Sequence, residues 1–135
     1  MSIIVDTSAI IAARNSDDKN HKIAIAIFED IIDGIYGTPF ISELILSEAI
    51  SYAYLATKNK NIALDIAKFT QTKPLRLIYI GPSDIDSALE LYQQYFDSEL
   101  SFTDCTTIAL MKRYRIEAIF TFDPEFTGIV KTLGI

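Results

Sequence analysis

Two short runs of β-branched and aromatic residues stand apart from the rest of the chain: Ile3-Ile4-Val5 and Ala118-Ile119-Phe120-Thr121-Phe122, each followed at once by an aspartate, Asp6 and Asp123. Between them apolar residues recur at helical spacing, broken by further short β-branched runs. That alternation is the pattern of α/β folds built on a parallel sheet. The spacing predicts a strand over 2–6, helices over 7–14 and 20–33, and a short strand at 36–38. Helices over 42–57 and 60–71 and a strand over 76–80 follow. Helices over 83–96 and 104–115, a strand over 117–122 and a short helix after Pro124 complete the series. The expected architecture is a central parallel sheet of four or five strands flanked by helices. In such open sheets ligands bind outside the carboxyl ends of the strands, so Asp6 and Asp123 are expected at one edge, facing one site.

At 135 residues the chain fits a single domain over 1–135, with no repeat and no Gly/Pro/Ser linker. A chain of this length buries roughly two thirds of its unfolded surface and needs no disulfide or structural metal. The polar stretch 57–61 reads as a tight turn between two antiparallel helices. No apolar run is long enough to span a bilayer, and the start of the chain lacks the pattern of a signal peptide, so the expectation is a soluble, cytoplasmic protein with no membrane partner. The single cysteine, Cys105, has no partner for a disulfide and reads as a small buried helix residue.

A net charge of −6 argues against holding nucleic acid by bulk electrostatics. It leaves open an acidic pocket that meets phosphate through a divalent cation, helped by a few placed cations such as Arg14, Lys22, Lys112, Arg113 and Arg115. Each candidate acid also has a structural reading. Asp123-Pro124-Glu125 has the form of a helix start, Asp6 stands where it would cap the helix beginning at Thr7, and Asp104 follows Ser101 as a first-turn acid. Glu48 is harder to explain in that way. On a helix starting near Ile41, it falls among Ile41, Leu44, Ile45, Tyr52 and Leu55, whereas Glu43 falls on a solvated side with Ser47 and Tyr54. An ionised carboxylate in an apolar stripe costs several kcal/mol unless it is paired or binds a metal. Asp104 repeats the pattern with Thr107, Ile108 and Met111 on its side. Four acids, Asp6, Glu48, Asp104 and Asp123, can therefore share one concavity, and oxygen-only ligands of this kind suit Mg2+ or Mn2+ rather than zinc.

Four segments carry a resemblance: Val5-Asp6-Thr7-Ser8-Ala9-Ile10, Ile41-Ser42-Glu43-Leu44-Ile45-Leu46-Ser47-Glu48-Ala49, Leu100-Ser101-Phe102-Thr103-Asp104-Cys105 and Thr121-Phe122-Asp123-Pro124-Glu125-Phe126. In this order they resemble the motifs of PIN-domain ribonucleases, above all the VapC-type toxins of toxin-antitoxin pairs. The resemblance implies a three-layer PIN-like fold and a metal-dependent endoribonuclease with Asp6, Glu48, Asp104 and Asp123 as catalytic and metal-binding acids. It implies that Thr7 or Ser8 orients the first acids, and that Asp17-Asp18 and His21 belong to a structural segment. The partners it implies are an RNA substrate, a VapB-type antitoxin and a second copy of the chain in a homodimer. Tyr52, Tyr54, Tyr92, Tyr95 and Phe96 are expected in the core or at the dimer interface.

Two alternatives stay open at this point. One is a catalytically inactive PIN-like module that binds RNA or an antitoxin. The other is a receiver-like phospho-acceptor domain, which would require a lysine near the last strand, and no strand here ends in one. An Asp-x-Asp phosphotransferase is disfavoured because Ser8 occupies the second position of Asp6-Thr7-Ser8.

Overall fold

The computed structural model describes residues 1–135. In chain order the elements are β1 (Ser2–Val5), α1 (Thr7–Arg14), α2 (His21–Ile32), β2 (Thr38–Ser42), α3 (Glu43–Thr57) and α4 (Lys60–Thr70). Then come β3 (Arg76–Ile78), α5 (Pro82–Gln94), α6 (Phe102–Tyr114), β4 (Ala118–Phe120), a single 3-10 turn (Pro124–Phe126) and β5 (Thr132–Leu133).

The strands form one sheet in the order β3-β2-β1-β4-β5, and every pairing is parallel. The sequence of β1 explains its central place. Ile3, Ile4 and Val5 are all fully buried although successive side chains point to opposite faces, so both faces must be covered. Right-handed crossovers supply the cover. Moving outward from β1 to β2 to β3 lays α1 to α4 on one face, and the reversal from β3 back to β4 lays α5 and α6 on the other. The strand order therefore switches direction between β1 and β4, and the crevice outside their carboxyl ends is where an open sheet accepts a ligand. Asp6 extends β1 by donating its N–H to the Phe120 carbonyl at 2.9 Å, so the end of one strand is tied to the end of the other.

The expected architecture stands, with local differences. β2 runs over Thr38–Ser42 rather than 36–38. Gly37, with φ at +75°, packs so closely on the Met1 carbonyl that a Cβ would lie 1.9 Å from its oxygen, and the strand begins only after it. The helix expected after Pro124 is one 3-10 turn, followed by the short edge strand β5. Helix α3 buries Ile45, Ala49 and Ala53, so its inward stripe is rotated from the expected one. Of the aromatics expected in the core or at a dimer interface, Tyr95 packs against the core, whereas Tyr52, Tyr54, Tyr92 and Phe96 are exposed on the single chain, Phe96 to 80%; Leu55 is exposed as well. Cys105 is buried in α6 as expected. No helix is long and apolar enough to cross a membrane.

Candidate active site

A cavity of about 540 Å³ opens at the carboxyl edge of the sheet, and Asp6, Glu48, Asp104 and Asp123 all line it. Asp6 arrives from the end of β1 and is buried. It takes the N-cap position of α1 without making the capping hydrogen bond. Its Oδ2 instead accepts from Thr121 Oγ1 at 2.7 Å and from Ser8 Oγ at 3.0 Å. Glu48 is half-buried on α3, and its Oε1 accepts from Thr7 Oγ1 at 2.6 Å. The two hydroxyls of the first segment thus divide the work, Ser8 holding Asp6 and Thr7 holding Glu48.

Asp104 and Asp123 serve local structure as well as the cavity. Asp104 closes a capping box at the start of α6, accepting the Ser101 N–H at 2.9 Å while Ser101 Oγ accepts the Asp104 N–H at 3.0 Å. Asp123 Oδ1 accepts the Glu125 N–H at 2.9 Å and starts the 3-10 turn. Its own N–H is held by Thr121 Oγ1 at 3.0 Å. A carboxylate offers about four lone-pair sites, so both acids keep acceptor capacity toward the cavity after capping.

The electrostatics of the cavity are one-sided. Asp18 and Glu99 join the four acids in its wall, which makes six carboxylates with no Lys, Arg or His among the lining residues. The two ion pairs of the molecule, Arg14 with Asp65 and Arg113 with Asp84, involve none of these acids. Burial pushes the Asp104 carboxyl up to about 6 against the pull of the Ser101 N–H, and the nearby Asp6 and Asp123 charges push the same way. Burial likewise raises Asp6, opposed by hydrogen bonds from Thr121, Ser8 and the Thr7 backbone. No three acids close on one point as a ready-made metal cage. The donor set fits a hard divalent cation all the same, being carboxylate oxygen throughout, charge-uncompensated and roomy enough for the waters that magnesium retains.

Two features of the cavity were not visible in the sequence. Thr121, fully buried, links Asp6 to the Asp123 backbone, and its position inside an apolar strand gave no sign of this. Asp18 and Tyr52 enter the wall by tertiary packing. His21 is structural, with Nδ1 at 2.7 Å from the Ala12 carbonyl. Glu43 is not the solvated residue its helical position suggested: it is half-buried, and its carboxylate accepts the Ile80 N–H beside β3, away from the cavity.

Residues 3–131 match the sequence pattern of the PIN domain, and the chain belongs to the PIN-domain family. Ribonuclease VapC26 of Mycobacterium tuberculosis is 20% identical over 134 residues, covering 98% of this chain and 94% of that protein. Among solved structures, M. tuberculosis VapC20, described as a sarcin-ricin loop cleaving toxin, superposes with a TM-score of 0.83 at 22% identity over 94% of each chain. VapBC2 of Rickettsia felis, solved bound to a DNA fragment from its promoter, superposes with a TM-score of 0.71 at 14% identity, over 98% of both chains. The fold is thus that of PIN-domain proteins.

Proposed function

We propose that the protein is a magnesium- or manganese-dependent endoribonuclease, the toxin of a VapBC-type pair, and that Asp6, Glu48, Asp104 and Asp123 are its catalytic acids. One observation carries the reading: six carboxylates without a single cation share the cavity at the switch point of the sheet. Curated relatives named as VapC ribonucleases, one of them 23% identical over 99% of this chain, support the substrate class. A divalent cation held by the four acids would polarise the scissile phosphate and acidify a coordinated water for attack.

The chain's own part is to fix those acids before substrate arrives. Ser8 and Thr121 hold Asp6 Oδ2, Thr7 holds Glu48 Oε1, and the two caps hold Asp104 and Asp123. Rigid donors of this kind determine how well the developing charge on phosphate is met, because a loosely held site loses its gain to reorganisation. The whole of 1–135 acts in this reading as one nuclease domain in the cytoplasm. Its inhibitor is a small VapB-type antitoxin, and its resting form is a homodimer. The VapBC2 structure from R. felis supports an antitoxin partner by analogy of fold.

The test is cleavage of a mixed pool of structured RNA by purified protein in magnesium or manganese, against the same reaction in EDTA. Metal-dependent internal cleavage is expected. An intact pool in both metals, with the antitoxin absent, would leave a non-catalytic PIN module and contradict the reading.

A further inference from the structure

At the opposite, amino-terminal edge of the sheet a groove of about 400 Å³ runs between α5, α6 and the segment entering β5. Its wall carries three cations, Lys112, Arg115 and Lys131, and its floor is apolar, with Ile108 and Met111 from α6 and Ile129 from the 3-10 side. All three cations are exposed and none takes part in an ion pair or a side-chain hydrogen bond. Glu117 is the one acid in the wall. In a chain with net charge −6, three unpaired cations around one groove amount to a local reversal of sign. The acidic cavity has no cation in its wall, and the cavity beside Arg14 has one that Asp65 already neutralises.

We propose that this groove is an exosite that holds the phosphate backbone of the substrate RNA at a distance from the scissile bond. The inference rests on the nuclease reading above and adds to it where the rest of the substrate lies. Charge complementarity selects a polyanion. Helix α6 connects the two sites end to end: Asp104 stands in its first turn at the cavity, Lys112 stands in its last turn, and Arg115 caps its carboxyl end at the groove. At about 1.5 Å rise per residue the length of the helix sets the two sites roughly 16 Å apart along its axis. An RNA with its scissile phosphate at the acids therefore meets the cations only if it continues past the cut. An acidic peptide would satisfy the charges equally but gains nothing from this alignment.

The experiment replaces Lys112, Arg115 and Lys131 together by Gln and compares the protein with a control triple, Lys60→Gln, Lys68→Gln and Lys73→Gln, that changes net charge equally on other surfaces. The readouts are cleavage of a long structured RNA and of a short oligoribonucleotide in manganese, and binding of the long RNA in EDTA as a function of salt. The exosite predicts a KM for the long RNA raised about tenfold with kcat unchanged, no change for the short oligonucleotide, and a salt slope shallower by about two, near 0.7 per lost phosphate contact. The control triple keeps wild-type KM and slope. Equal KM and equal slope in both triples would overturn the exosite while leaving the nuclease reading intact. RNA binding that depends on the groove, with no cleavage by wild-type protein, would uphold the exosite and contradict the nuclease. A polyglutamate peptide that binds the groove when the long RNA does not would replace the RNA by a protein ligand and overturn the proposal.

Discussion

Thr7 Oγ1 donates to Glu48 Oε1 at 2.6 Å, joining the first turn of α1 to the middle of α3 across 41 positions of sequence. This bond fixes an acid that no cation in the wall could otherwise hold. Thr7→Val keeps the shape and removes the donor, so metal affinity or cleavage rate should fall about 10–100-fold, as for loss of the partner of a metal ligand. Thr7→Ser should keep most of the activity. Manganese titration and single-turnover cleavage of the two variants check this.

Thr121 is the second tie, donating to Asp6 Oδ2 and accepting from the Asp123 N–H. Thr121→Val removes one of the two hydroxyl donors to the buried Asp6 Oδ2, leaving Ser8, and takes the acceptor from the half-buried Asp123 N–H; leaving a group of this kind unpaired costs about 1–3 kcal/mol. The urea unfolding midpoint should drop accordingly and recover in Thr121→Ser.

How much of this was legible in the sequence follows from what each signal depends on. The carboxyl-edge position of Asp6 and Asp123 was readable because a buried parallel strand is a local pattern and its next residue must emerge at that edge. Glu48 was singled out on a face that the structure rotates: α3 buries Ala49 and Ala53 while Tyr52 faces outward, because small residues let α3 pack closely on its neighbours and the larger side chains stay outside. Strand β2 starts only at Thr38 because the left-handed Gly37 packs on the Met1 carbonyl, a contact no local pattern shows. Strand β5 has two residues, too few for any period to show. The role of Thr121 depends on partners more than 100 positions away, and a hydroxyl in a strand carries no mark of them.

The pH dependence of stability has a definite sign. Folded Asp104 binds its proton more tightly than the unfolded chain does, so the metal-free fold loses stability as pH rises from the ordinary 3.8 to about 6 and is level above that. Asp6, also raised, acts in the same direction. Asp104→Asn keeps the Ser101 cap and removes the buried charge. It should raise the Tm of metal-free protein at pH 7.5 by roughly 3–6 °C, with the gain disappearing near pH 4. Calorimetric scans in EDTA across this range test it.

Away from the cavity, Arg113 lies against the nearly buried Asp84, donates to the Tyr79 carbonyl at 2.8 Å and so ties α6 to α5 and β3. Arg113→Ala leaves a carboxylate with little solvent and no cation. The Tm should fall by several degrees with manganese affinity unchanged, which separates this structural pair from the acids of the cavity.

Calorimetric titration of manganese into the wild type, Asp104→Asn and Glu43→Gln reaches the central claim most directly. The account predicts binding by the wild type and by Glu43→Gln, whose replaced side chain still accepts the Ile80 N–H, and loss of binding in Asp104→Asn. Manganese affinity that survives in Asp104→Asn, or no binding by the wild type, would contradict a cation site built from Asp6, Glu48, Asp104 and Asp123.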